Sequence, residues 1–213
     1  MKYKQFWKIC VLCLVSAFAN VVVSHLFSGV PLYLDTVFNA AIVFSAGLFA
    51  ALVTGILLFP IAAFFVLRYY DGLPLEISLL NVWLICVAVE ILIIWFFYKR
   101  MKKQEAVFLE KPSLNSFTGV GAFLLVLAMI DCVAVSITGG IIDFVLIVRQ
   151  TPRTFSPEDS FKLGLLQNNV PLMATTILSR IPINIADRII VVFGGYGISL
   201  WFRKWLVNKS AAE

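Results

Sequence analysis

Seven ionisable side chains interrupt otherwise apolar runs of this sequence: Asp35, Glu90, Asp131, Asp143, Arg180, Asp187 and Arg188. Asn20, Asn39 and Asn184 accompany them. At membrane depth each charge costs on the order of 2.5–3.5 kcal/mol, so such groups pair, line a cavity or work. Arg180, Asn184, Asp187 and Arg188 recur at spacings of four, three and one. Most of them share one face of a helix that continues through Pro182, and that face is expected to point into a bundle. One reading is an internal network, with Asp187 holding Arg188 or Arg180 and Asp131 or Asp143 completing it. The other gives part of the network to a polar solute. Arg180 and Asn184 would then reach it from the outer start of the last apolar run, Asp143 would lie opposite, and Asp131 and Glu90 would sit deeper. Asp187 and Arg188 are assigned as a structural ion pair locking that helix. Arg180 facing Asp143 suits a small polar or zwitterionic solute. With 19 Phe, 5 Trp and 6 Tyr, stacking on a ring-bearing solute is also open. A proton-coupled carrier would want deep carboxylates as well, and Glu90 and Asp131 are its candidates.

Other chemistry finds little support. His25 is the only histidine, which leaves nothing for a nucleophilic triad or a metallohydrolase. No enzyme, metal or cofactor is expected. There is no G-x-x-x-x-G-K-[ST], so the chain cannot power transport through a P-loop of its own. Cys10 and Cys13 form a C-x-x-C inside an apolar run, where they read as small packing residues. GGYG at 194–197 resembles a potassium filter in letters but approaches the wrong end of its span, so its glycines read as sites of close helix packing.

The elements that must position these residues follow from composition. Of 213 residues 61% are hydrophobic and only 14% charged, with a mean hydropathy of +0.96. The bilayer is therefore the main solvent of a single membrane domain. Ala17-Phe18-Ala19 resembles a signal-peptide cleavage site, but the apolar run continues past it, which favours a retained span. Residues 33–67 would make a helix of about 50 Å against a hydrocarbon core of about 30 Å, so two short spans meeting near Ala46-Gly47 fit better. The expected architecture is an all-α integral membrane protein, a six-transmembrane-helix bundle with spans near 9–27, 33–46, 48–67, 79–98, 119–148 and 183–203. Gly139-Gly140 is expected to break the fifth, and residues 170–180 form either a kinked extension of the last span or a re-entrant piece. Six spans put eleven Lys and Arg on the side of the termini and four on the other, with Arg180 and Arg188 set aside. The positive-inside rule then places both termini in the cytoplasm. The net charge of +5 reflects this topology rather than nucleic-acid binding.

Two connectors are long. Residues 99–118 mix charges and are expected to lie on the inner lipid surface as a connector. Residues 149–169 begin polar and turn amphipathic, with Ser156 as a helix cap and Pro157 at the first helical position; they read equally as a lid or a plain connector. Gly47, Ala51 and Gly55 form a small-xxx-small ladder beside Ala46 and Ala50, and Ser16, Asn20 and Ser24 repeat the four-residue spacing. Such faces serve either packing within the bundle or docking of another membrane protein.

YLDTVFNAAIVFSAGLFAALVTGIL (33–57) and RIPINIADRIIVVFGGYGISLWFRK (180–204), with its P-x-N-x-x-D-R at Pro182, Asn184, Asp187 and Arg188, carry a family likeness. The chain resembles the S components of energy-coupling factor (ECF) transporters, the substrate-capture subunits of micronutrient and vitamin importers. The resemblance implies that the first three spans, with Gly47, Ala51, Gly55, Ser16 and Asn20, face a transmembrane coupling subunit bound to two ABC ATPases. It implies that the last three spans and the outer loops hold the solute, and that the S component topples in the cell membrane to release it inside. The alanine-x-x-x-alanine usual in the family's first span is replaced by Ser16, Asn20 and Ser24, and the N-terminal histidine motif of the nickel and cobalt branch is absent from MKYKQFW. A stand-alone carrier, a membrane sensor and a structural subunit of a larger complex are the competing readings.

Overall fold

The computed structural model describes residues 2–27, 32–69, 74–110, 113–149 and 158–207. Among them the chain forms eight helices: α1 (Lys2–Leu26), α2 (Val37–Ala46), α3 (Leu48–Tyr69), α4 (Pro74–Glu110), α5 (Leu114–Val148), α6 (Asp159–Gln167), α7 (Leu172–Leu178) and α8 (Ile181–Val207). Within them, four stretches are long and apolar enough to cross a membrane: in α1, α4, α5 and the α7–α8 pair. Val37–Ala46 and Leu48–Phe64 are shorter apolar helices. Of the six spans expected, four correspond to these long stretches and the two short ones to the α2–α3 pair.

That pair is a hairpin. Gly47 ends α2 with φ of 91°, a left-handed conformation that glycine adopts without a Cβ clash. Eight residues either side of it, α2 and α3 lie against each other: a Cβ placed on Gly55 would stand 3.9 Å from Asn39 Nδ2. The tight turn expected at Ala46-Gly47 is present. At about 1.5 Å per residue, the ten residues of α2 reach only about half of a 30 Å core. An irregular segment, Leu32 to Thr36, leads into it.

Two expectations fail for reasons of packing. Residues 99–110 are not a surface connector but the continuation of α4, which runs unbroken over 37 residues. Tyr98, Met101 and Glu105 are buried at helical spacing, so the extension has its own inward stripe. Glu105 accepts from Arg203 of α8 at 2.6 Å and from the Tyr98 hydroxyl at 2.8 Å. Likewise α5 does not break at Gly139-Gly140. Glycine inside a helix costs only about 1 kcal/mol relative to alanine, and here it admits a neighbour. A Cβ on Gly140 would lie 2.7 Å from the Cα of Ile177 in α7.

Residues 170–180 are not continuous with the last helix, although α7 and α8 together make one stretch long and apolar enough to cross a membrane. Pro182 cannot donate the backbone bond that would join its turn to Leu178, and the chain divides into α7 and α8 at Ser179-Arg180. The seven residues of α7 span about 10 Å. Ser156 and Pro157, expected to start the helix of the long outer connector, lie outside the described residues; α6 itself begins at Asp159, with Glu158 at its N-cap position.

The start of α1 meets the end of α8. Lys8 of α1 donates to the carbonyl of Leu206 in α8 at 3.2 Å and lies 5.6 Å from the centre of the Trp205 ring. This end of the bundle is called the terminal end below, and the opposite one the distal end. Helix α8 also presses on α2: a Cβ on Gly195 would lie 2.6 Å from that of Ala40 and 2.9 Å from the Val37 carbonyl. The glycines of GGYG therefore include one required for close helix packing.

Candidate functional site

The buried charges form two tiers, one near the distal end and one deeper. In the distal tier Arg180, in the turn between α7 and α8, donates from Nη2 to Glu158 Oε1 at 2.6 Å and stands 3.8 Å from Asp143 of α5. Its guanidinium lies 4.8 Å from the centre of the Trp83 ring of α4. Gly139 leaves the room for it, since a Cβ there would stand 3.0 Å from Nη1. Lys162 of α6 pairs with Asp143, with Asp159 at 2.8 Å and with Glu158 at 3.7 Å. All five residues are buried. Charge-assisted contacts of this kind have strength only because water is excluded from them. Helix α6 is thus fastened across the distal face by its own Glu158, Asp159 and Lys162.

Burial alone would push the Glu158 carboxyl up, but the Arg180 guanidinium, the hydrogen bond from Tyr33 and the Lys162 charge together hold it below the ordinary glutamate range. Tyr33 donates its hydroxyl to Glu158 Oε2 at 2.6 Å, and its own backbone N–H donates to Asp187 Oδ1 at 3.1 Å. One residue therefore ties the distal tier to the deep one.

The deep tier centres on Arg188 of α8. Its guanidinium pairs with Glu90 of α4 and with the neighbouring Asp187, donates to Thr36 Oγ1 at 3.3 Å, and lies 3.8 Å from Asp131 of α5. Asp187 has a second task. Its Oδ1 accepts from the backbone N–H groups of Tyr33 and Leu34 at 3.1 and 2.9 Å. Irregular backbone at membrane depth is tolerated only where protein groups satisfy it, and Asp187 does so for the segment leading into α2. From the other side Asn20 of α1 accepts from the N–H of Phe38 at 2.9 Å and donates to Asn39 at 3.1 Å. One of the donors that the start of α2 leaves open, the N–H of Phe38, is thus capped from α1. Leu34 is held at φ 46°, a conformation that costs a non-glycine residue about 1–3 kcal/mol unless its surroundings fix it.

The pair Asp187–Arg188 is present as read from the sequence, and Arg180 does stand beside Asp143. Glu90 and Asp131, whose partners local sequence did not reveal, both turn to Arg188. Asn184 does not join Arg180: it donates to Ser136 Oγ of α5 at 2.8 Å. Glu158, Asp159, Lys162, Tyr33 and Trp83 were not among the expected site residues. A faint signal existed in the i, i+4 spacing of Glu158 and Lys162. Of the residues assigned to a coupling face, Ser16, Asn20 and Ala51 are fully buried. Gly55 packs on Val87 and Ile91 of α4, and Gly47 makes the hairpin turn. These residues pack within the bundle.

Among the described residues no three His, Cys, Asp or Glu side chains are arranged to hold a metal ion. The arrangement pairs buried charges from α4, α5, α6 and α8 with one another and keeps water from them. No family model matches the chain, and neither curated proteins nor solved structures give a match.

Proposed function

We propose that this chain is the solute-binding subunit of an ATP-dependent ECF-type micronutrient or vitamin importer. It lies in the cytoplasmic membrane with both termini inside and captures a small polar or ring-bearing solute from the outer side. One observation carries the reading: at the end opposite the termini, a short helix is fastened by buried ion pairs over a second buried tier of charge. A bundle needing only internal stability is served as well by apolar packing, since buried pairs add little net stability over well-packed hydrophobic residues. A cover that must open and close is served by contacts that water can replace.

In this reading α6 is the lid, and Arg180, Asp143, Asn184, Asp131 and Glu90 surround the solute once the lid has lifted. The coupling subunit and its two ATPases would meet the outward faces of α1 and α3. Val15, Phe18, Phe49 and Val53 are exposed there, whereas Ala51 and Gly55 of the small-residue ladder are turned inward. Purification of the tagged chain in mild detergent tests this. A transmembrane partner and two ATPases that co-purify, with ATP-dependent uptake after reconstitution, are the expected result. A chain that purifies alone across several detergents and transports without ATP overturns it.

The convergence of Glu90 and Asp131 on Arg188 favours a second reading, a stand-alone proton-coupled carrier. Proteoliposomes with a pH gradient and no ATP separate the two. Uptake there, abolished by Glu90→Gln or Asp131→Asn, would establish the carrier.

A further inference from the structure

The two tiers are short of positive charge. In the deep tier the carboxylates of Glu90, Asp131 and Asp187 share one guanidinium, that of Arg188. Asp35, on the segment leading into α2, interacts electrostatically with Arg188 and Asp187 as well. In the distal tier Asp143, Glu158 and Asp159 share Arg180 and Lys162. A surplus of carboxylates alone would mean little, because solvated acidic groups need no partner.

Here the surplus is dry, and its unused hydrogen-bonding capacity is of one kind. Asp131 is fully buried, and neither of its oxygens has a hydrogen-bond partner. Glu90 keeps Oε1 unpartnered while Oε2 holds Arg188. An uncharged side chain adds independent evidence. Asn184 is 1% exposed, and its Nδ2 is engaged by Ser136 while its Oδ1 has no partner. It stands between α5 and α8, the two helices that carry Asp131 and Arg188, one helical turn from Arg188. The unpartnered buried donors lie elsewhere: Arg180 Nε in the distal tier, Asn39 Nδ2 where α2 meets α3, Arg203 Nε and the hydroxyls of Ser16 and Tyr196. A buried acceptor without a donor costs roughly 1–3 kcal/mol, and more when it is charged, so a row of them asks for a ligand that brings donors.

We infer that Asp131, Glu90 and Asn184 together receive a cationic, hydrogen-donating group of the solute, an ammonium or an amidinium. This rests on the solute-binding reading and narrows it, since Arg180, the group that would recognise an anion, is already neutralised by Glu158. A bare metal cation is disfavoured because no three His, Cys, Asp or Glu side chains are arranged to hold one among the described residues. The ammonium would donate to Asp131 and to Asn184 Oδ1, leaving Arg188 on Glu90 and Asp187.

The test uses the purified full-length chain in detergent, with thermal unfolding as the readout. The probes are butylammonium chloride, sodium butyrate, butanol, and sodium chloride at matched ionic strength. Butylammonium should raise the melting temperature saturably where the other three do not. Asp131→Asn should weaken its apparent affinity about tenfold or more, the loss expected for a hydrogen bond to a charged group. If that variant does not fold, Asn184→Ala, which keeps the carboxylate, should weaken it severalfold. An equal response to sodium, a response to butyrate or butanol alone, no response at all, or full response in the variants overturns the inference. A chain that co-purifies with ATPases yet ignores butylammonium loses this inference and keeps the broader reading. One that binds butylammonium and co-purifies with nothing does the reverse.

Discussion

The hydroxyl of Tyr33 donates to Glu158 Oε2 at 2.6 Å across 125 residues of chain. It joins the irregular segment ahead of α2 to the residue at the N-cap position of α6. Because Glu158 also holds Arg180, loosening α6 must disturb the segment that leads into α2. Removing the phenol alone, as in Tyr33→Phe, should raise amide hydrogen exchange in 159–167 while leaving α4 and α5 protected. Unchanged exchange in α6 would show that the latch does not depend on this bond.

Arg180→Ala leaves Glu158 buried without its main partner, a change of the kind that costs about 3–5 kcal/mol. Thermal unfolding should report this as a large loss, and α6 should become accessible to protease. Replacing both partners with apolar groups, Arg180→Met with Glu158→Leu, should recover part of the loss, because no charge is then stranded. A double variant worse than the single one would contradict this account.

Acid should loosen the distal tier in a predictable direction. The Glu158 carboxyl is held below the ordinary glutamate range, so its ionised form is favoured more in the folded chain than in the unfolded one. Its contribution is fully present above the unfolded pKa and is lost as the pH falls through the lower folded value. The wild type should therefore lose protection of α6 only below the ordinary glutamate range. Glu158→Gln should lack that acid component and start from a lower plateau. The pH dependence of exchange in 159–167 measures both.

Asp187 serves two backbone donors as well as Arg188. Asp187→Asn keeps an acceptor oxygen for Tyr33 and Leu34 but surrenders the ion pair. Asp187→Ala strands both N–H groups, at about 1–3 kcal/mol each. Alanine should therefore destabilise more than asparagine in thermal unfolding, and the reverse order would remove the capping role.

Glycines of the last helix separate packing from propensity. Gly195→Ala would force a Cβ to within 2.6 Å of Ala40 Cβ and 2.9 Å of a backbone oxygen, and overpacking of this kind costs about 1–3 kcal/mol. Gly197→Ala meets nothing within 4 Å and should stabilise by up to about 1 kcal/mol through helix propensity. Opposite signs in the two melting temperatures are the expected outcome.

Much of this was legible along the chain. The excess length of 33–67 called for a turn near Gly47, and the spacing of Arg180, Asn184, Asp187 and Arg188 placed a polar face on the last helix. Local pattern also gave the Asp187–Arg188 pair, since the two are adjacent. It could not give Glu90 to Arg188 or Tyr33 to Glu158, because those partners are brought together by packing over about a hundred residues. The helical run of α4 beyond Tyr98 was hidden for a different reason. Its basic, exposed residues resemble a connector, and only the buried stripe of Tyr98, Met101 and Glu105 marks it as helix. Gly139-Gly140 misled because a glycine pair signals a break when solvent surrounds it and a close crossing when another backbone does.

The acceptor for the N–H of Leu34 is made 153 residues later in the chain. When the α2–α3 hairpin first enters the bilayer, the segment leading into it has no Asp187 to bond, and Gly195 is not yet there to seat Ala40. The hairpin must wait in a provisional state, partly hydrated or held by insertion machinery, until α8 is synthesised. Biogenesis of this bundle is therefore closed from its C-terminal helix. A chain cut before residue 181 should be recognised by quality control through its α2 segment, far from the cut.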